Sequence, residues 1–246
     1  MTSQHQNESS KLEGRTTIGI MQPYFLPYIG YFQLIAAVDK FIVYDDIKYT
    51  KRGWINRNRL LQGGEATVIS LPLEADSDYR HVRDRKVTAD FRPEKLLARI
   101  AGAYRRAPYF AEIFPIIEHI VRYPDRNLFN FLFNSIRVIC EYLKISTELM
   151  ASSVVMASHE LKGQERVLAL CQTMRADQYI NAIGGVELYS PEVFAARGVE
   201  LKFIRSWPIE YSQYEGKFVP WLSIIDVMMF NSRETIGTML GEHELL

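Results

Sequence analysis

The chain has 246 residues, 48% of them hydrophobic, which fits one domain with a substantial core or a domain with a small appendage. Its 29 basic residues balance 29 acidic ones, so no global field favours nucleic acid or an anionic membrane surface. There are two cysteines, Cys140 and Cys171, both inside apolar helical patterns; this excludes a disulfide framework and suits a reducing compartment.

Met1 to Arg15 is polar and lacks the apolar segment of a signal peptide, so it reads as a disordered tail before a domain at 16–246. Thr16 to Met21 is isoleucine-rich and reads as a buried strand. Gln22 to Gly30 follows, with Pro23 and Pro27 excluding regular structure. A helix is expected over Tyr31–Val38 and a second strand over Phe41–Tyr44, ending on Asp45-Asp46. Strand, loop, helix and strand in this span form a βαβ unit, whose first loop lies where open α/β sheets bind ligands. Ala66–Leu73 reads as a further strand, Glu74–Arg85 as a charged mobile loop, and Lys86–Ala89 as a short strand.

A helical insertion is expected around 93–145. Leu96, Leu97, Ile100 and Tyr104 recur at helical spacing after Pro93, and Pro108 breaks that pattern. A second helix covers Tyr109–Val121, with a kink or break at Pro115. The third, Asn127–Leu143, is apolar on most faces and is placed centrally against the sheet. Alternation then resumes. Strands are expected at Glu148–Met150, Gln178–Ala182 and Val199–Ile204, and helices at Gly163–Met174, Ile224–Phe230 and Thr235–Leu240. The pattern gives an α/β fold, a Rossmann-like, mostly parallel sheet with helices on both faces. No run approaches the length of a membrane span.

Four clusters carry candidate chemistry. In the first loop, Gln22, Pro23, Tyr24 and Tyr28 offer polar and aromatic groups, and Gly30 permits close backbone approach before a helix start, where a phosphate fits. The position is similar to the signature loop of histidine-glycine-histidine nucleotidylyltransferases, but Tyr28-Ile29-Gly30-Tyr31 carries tyrosines and no histidine. The second cluster follows the second strand. Asp45, Asp46 and Lys51 are its expected catalytic groups, although adjacent carboxylates point apart along an extended chain. Trp54 is placed to stack on a base or sugar ring, Arg57 to pair with phosphate, and Asn56 and Asn58 to share one face. The third runs from Ser158 to Arg166 and on to Asn181, Gly184 and Gly185; Lys162 and Arg166 share a helix face. The fourth is Trp207 to Asp226, with Tyr211, Gln213 and Asp226 as ligand-binding candidates and Ser223 as a helix cap. The five histidines show no ligand spacing, so no metal site is expected, and no sequence feature names a cofactor.

The blocks MQPYFLPYIGYFQLI, VDKFIVYDDIKYTKRGWINRN, KGQERVLALCQTMRADQYINAIGG, ELYSPEVF and WLSIID occur in that order between Ile18 and Asn231. Together they resemble the WbqC-like family of bacterial proteins. The resemblance implies a cytoplasmic enzyme of surface-polysaccharide (O-antigen) biosynthesis that transfers glycine or another acyl group to an amino sugar, here one linked to a nucleotide. It implies a small-molecule substrate and leaves room for a homo-oligomer; nucleic acid and membrane are not expected partners. Two other readings are a nucleotidylyl- or adenylyl-transferase relative that activates its own acyl donor, and a non-catalytic nucleotide-sugar binding protein.

Overall fold

A computed structural model describes residues 14–77, 79–155 and 160–246. Most of the expected N-terminal tail, and Ser158 of the third cluster, lie outside the described residues. The main sheet is built from β1 (Thr17–Met21), β2 (Lys40–Val43), β5 (Glu148–Ala151), β6 (Gln178–Ala182), β7 (Glu200–Ser206) and β8 (His243–Leu245). Their order is β5-β2-β1-β6-β7-β8, parallel throughout except for the antiparallel edge strand β8. The chain moves outward from β1 through β2 to β5, then restarts on the other side of β1 at β6. That reversal is the switch point at which Rossmann-like sheets open a crevice beyond the carboxyl ends of their strands. The α/β, mostly parallel fold expected from the sequence is the one observed.

Alternation along the strands divides the core. Ile18, Ile20, Ile42 and Tyr179 face α5 (Gly163–Thr173) and α6 (Pro191–Ala195). Phe41, Val43, Ile180 and Ile204 face the larger layer. This layer contains α1 (Ile29–Ala36), α2 (Pro93–Tyr104), α3 (Phe110–Val121), α4 (Leu128–Leu143), α7 (Ile224–Phe230) and α8 (Arg233–Leu240). It also holds a hairpin, β3 (Arg57–Gln62) and β4 (Glu65–Ser70), whose two-residue turn Gly63-Gly64 has positive φ at both positions (64° and 80°).

Several local expectations change. α3 continues through Pro115, which lies on the exposed side of an early turn, so the missing hydrogen bond is lost where water replaces it. α4 is buried, but its main neighbours are α3, α8 and the turn Val82–Asp84; α1 is the helix that meets β6 and β7. Lys86–Ala89 forms isolated bridges (Leu73 with Val87, Lys86 with Asn127) and no strand. The charged stretch before it is anchored. Val82 is buried, and Arg85 donates to the Ser77 carbonyl (3.0 Å) while its guanidinium lies 4.2 Å from the Tyr49 ring centroid. The strands β3 and β8 were not expected. β3 hides its alternation behind Arg57 and Arg59, and β8 is too short to carry a pattern.

Phe131 of α4 links this layer to the first loop, with ring centroids 6.2 Å from Phe25, 6.4 Å from Phe91 and 6.2 Å from Tyr123. Phe131→Ala is expected to lower unfolding free energy by about 3–5 kcal/mol, measured by denaturant titration.

Candidate functional site

The loop from Gln22 to Tyr28 leaves β1 at the switch point, and its carbonyls are held from three other elements. Asn58 donates its amide to Phe25 O (3.0 Å) and Leu26 O (2.7 Å), and Ser223 Oγ also donates to Leu26 O (2.8 Å). The Ile224 amide donates to Pro27 O (2.9 Å) and the Tyr31 hydroxyl to Gln22 O (3.0 Å). Leu26 sits at φ 47°, a left-handed conformation that persists because these contacts over-determine it. The Tyr28 ring lies against the first turn of α1. A Cβ at Gly30 would stand 2.4 Å from a Tyr28 ring carbon, so only glycine fits there. The Tyr28 hydroxyl hydrogen-bonds Ser206 at the end of β7, and burial raises its pKa.

Beyond this loop lies an aromatic cleft of two lobes. One, of about 300 Å³, is walled by Tyr24, Tyr28, Trp54, Asn58, Arg59 and Trp221. The other, of about 250 Å³, is walled by Tyr28, Trp207, Glu210, Tyr211, Phe218 and Trp221, with apolar residues between them. Tyr28 and Trp221 meet edge to face at 5.9 Å and form the partition. All three tryptophans of the chain converge here and stay exposed: Trp54 by 42%, Trp207 by 52% and Trp221 by 63%. So much bare aromatic surface at one place marks a binding site. The lobes differ in charge. Arg59 lies 5.1 Å from the Trp54 ring, donates to Trp221 O (3.0 Å), and is the cation of the first lobe; Glu210 is the acid of the second.

The outer wall is the strap 207–222, which joins β7 to α7. Asp226, fully buried in the first turn of α7, pins it. Tyr211 Oη and Gln213 Nε2 each donate to Asp226 Oδ2 at 2.7 Å, and Tyr104 Oη donates to Oδ1 at 2.8 Å. The Tyr104 hydroxyl in turn accepts from the Leu61 amide (2.9 Å). Burial raises the Asp226 pKa above the usual carboxylate range, against the lowering effect of its three donors.

The expected catalytic acids have different surroundings. β2 ends at Val43, so Asp45 and Asp46 are not on an extended strand, and both turn toward one hydroxyl. Ser152 Oγ lies 2.7 Å from Asp45 Oδ1 and 2.8 Å from Asp46 Oδ1, and the Ser153 amide donates to Asp45 Oδ1 (3.0 Å). Arg166 completes the cluster, with Nη2 on Asp46 Oδ2 and the guanidinium 5.7 Å from the Tyr44 ring. All three charged residues are buried. Neither acid lines the aromatic cleft, and Arg166 points away from the helix face it was expected to share with exposed Lys162.

Other candidates are mainly braces. Asn56 donates to Leu71 O and accepts from the Tyr49 hydroxyl (both 2.8 Å), while Arg57 donates to Gly53 O (2.7 Å) and Lys51 O (3.0 Å). Lys51 itself is exposed. Asn181 caps its own strand end by accepting from the Ala182 amide (2.8 Å), and a Cβ at Gly185 would meet Asn181 Nδ2 at 2.4 Å. Gly184 is exposed beside them. Because β1, β2 and β6 are parallel, the three strand-end segments share one edge of the sheet. The cleft walls, however, come from the first loop, Trp54–Arg59 and the strap. Gln22, Pro23 and Gly30 frame the first loop, and Tyr24, Tyr28, Trp54, Asn58 and Tyr211 reach the cleft. Trp207, Glu210, Trp221 and Tyr104 were not among the expected site residues. The dipeptides Trp207-Pro208 and Pro220-Trp221 are the available signal, since proline beside tryptophan marks a ring carried on a loop. Among the described residues no group of three or more His, Cys, Asp or Glu is arranged for a metal, and burial pushes both thiols up to about 12.

These features define a Rossmann-like α/β protein with an aromatic cleft at the carboxyl edge of its sheet. The profile of the WbqC-like protein family matches residues 22–238, and the chain belongs to that family. It is 31% identical over 219 residues to Uncharacterized protein Rv1507c of Mycobacterium tuberculosis, covering 87% of this chain and 93% of that protein. No solved structure matches. No helix among the described residues is long and apolar enough to cross a membrane.

Proposed function

We propose that this protein is a transferase of surface-polysaccharide biosynthesis that acylates or aminoacylates the amine of a nucleotide-linked amino sugar. The observation that carries the reading is the opposite charge of the two lobes on either side of the Tyr28–Trp221 partition. An ammonium group is attracted to aromatic faces and to a carboxylate, which the lobe of Trp207, Tyr211, Phe218 and Glu210 supplies. A phosphate is attracted to a guanidinium, and a base stacks on an exposed indole; Arg59 and Trp54 supply these in the other lobe. An amino sugar joined to a nucleotide carries both groups at matching ends.

The reaction on this reading is direct attack. The bound ammonium gives one proton to Glu210, the freed amine nitrogen bonds to the carbonyl carbon of an activated acyl group, the bond to the donor's leaving group breaks, and the second proton leaves with that group. Asp226 does not touch the substrate and acts by holding Tyr211 in place.

Turnover of a nucleotide-linked amino sugar, with acyl donors supplied one at a time and products followed by mass spectrometry, tests the proposal. One donor is expected to yield an N-acyl product, and Glu210→Gln is expected to lower kcat by about 100-fold or more, the lower end for a general base. Absence of an amide product with every donor, in protein that binds the sugar nucleotide, overturns the transferase and leaves a binding protein.

A further inference from the structure

The strap has a second side. There it closes a larger cavity of about 660 Å³, walled also by the hairpin turn Gln62–Gly64 and by the C-terminal end of α2. Its chemistry is unlike that of the cleft. Arg105, Arg106 and Lys217 enter its wall against the single acid Glu215, and no tryptophan does. None of the three cations is ion-paired to a described residue, whereas Arg122, Arg126, Arg137 and Arg205 elsewhere on the surface each hold a glutamate. The helix dipole accounts in part for two arginines after the end of α2. It does not account for Lys217, which the strap brings to the same cavity.

Two observations make this a shaped site. Gly63, Gly64 and Gly216 line the wall outside any helix, and a Cβ at each would meet open space, so the loop backbone there carries no side chain toward the cavity. The wall is also fixed: the Arg106 guanidinium lies 5.2 Å from the Tyr214 ring, whose hydroxyl donates to Ala103 O (3.0 Å), and Gln213 is tied to Val219 and to Asp226. Tyr211 faces the cleft and Gln213 faces this cavity, and both end on one carboxylate oxygen, so the two spaces share a thin, rigid partition.

We propose that this cavity binds a second, phosphate-bearing ligand, separate from the occupant of the aromatic cleft. Three cations with one acid suit a diphosphate, and guanidinium groups with exposed backbone bind phosphate oxygens directly. In the context of the proposed transfer, it is the site of the phosphate-bearing acyl donor or of the nucleotide that activates the acyl group; the cavity's affinity for phosphate does not depend on that context.

Calorimetric titration of the full chain with inorganic pyrophosphate tests this. Saturable binding is expected, weakening as salt rises. Arg106→Ala and Lys217→Ala, both exposed and expected to fold, should each weaken it by about tenfold, the fold-change of one charge-assisted hydrogen bond. Arg59→Ala, which removes the cation of the cleft, should leave it unchanged. Parallel titrations with ATP and with coenzyme A separate the two sources of phosphate: tighter binding of one than of pyrophosphate assigns the ligand. Absence of saturable pyrophosphate binding, binding indifferent to both cation variants, or binding lost in Arg59→Ala each overturns the proposal. A nucleotide-linked amino sugar that leaves the Arg106- and Lys217-dependent pyrophosphate binding in place supports two sites; one that abolishes that binding overturns them, whatever the outcome for the transfer reaction.

Discussion

Asp226→Ala is expected to lower unfolding free energy by about 3–5 kcal/mol, the summed scale for two or three buried donors losing their acceptor. The side chain is fully buried, and its removal strands the Tyr104 and Tyr211 hydroxyls as donors and leaves Gln213 Nε2 only the Val219 carbonyl. Because Tyr211 and Gln213 are the strap's ties to α7, ligand binding should fall with stability. Asp226→Asn keeps the shape and one acceptor oxygen and removes the cost of burying charge, so it is expected to lose no more than about 1–2 kcal/mol. A pH series separates the charge from the packing. Burial raises the folded-state pKa of Asp226 above the unfolded-state carboxylate value, so the folded chain holds more protons between those two pKa values. Asp226 therefore makes stability fall as pH rises through that window, and the asparagine variant loses this component. Denaturant midpoints for the wild type and both variants across the acid range measure it. Equal midpoints for alanine and wild type would show that the carboxylate pins nothing.

Asp46→Asn and Arg166→Ala are each expected to cost about 3–5 kcal/mol, because each removes one side of a buried ion pair. The side chains in the pair are 3% and 10% exposed, and Ser152 links the pair to Asp45. This differs from the sequence reading, in which the two adjacent carboxylates point apart along an extended chain. The physical reason is tertiary: α5 brings Arg166 down on the end of β2, and the turn after β5 brings Ser152. A double-mutant cycle should give strong coupling, with the double variant far less damaged than the sum of the singles. Additive losses would mean that the two charges do not stabilise each other.

The sheet was legible because its strands are short apolar runs between turn signals, and β6 matches its expected bounds at both ends. The first loop was legible through its prolines, glycine and tyrosines. What the sequence hid was partnership. Asn58, Arg57 and Arg166 have the residue types of ligand contacts, yet their hydrogen-bonding groups hold the protein's own loops and Asp46. Conversely the prolines beside Trp207 and Trp221 mark a loop, but nothing in one dimension brings the two rings to one cleft. Their exposure arises only when the strap crosses the switch-point edge and Trp221 takes φ 60°. Asp226 reads as a ligand-binding candidate in a helix first turn; its place as a buried anchor depends on Tyr104, far away in sequence.

The reading of the cleft is tested most directly by calorimetry with a nucleotide-linked amino sugar and with the same sugar nucleotide carrying hydroxyl in place of the amine. The amino compound is expected to bind more tightly, with Trp221→Ala weakening it by about 1–2 kcal/mol through loss of the aromatic face against the ammonium group. Glu210→Gln is expected to erase the preference for the amine while leaving the hydroxyl compound unaffected. Equal affinity for both compounds, unchanged by either substitution in folded protein, would contradict the assignment of the two lobes.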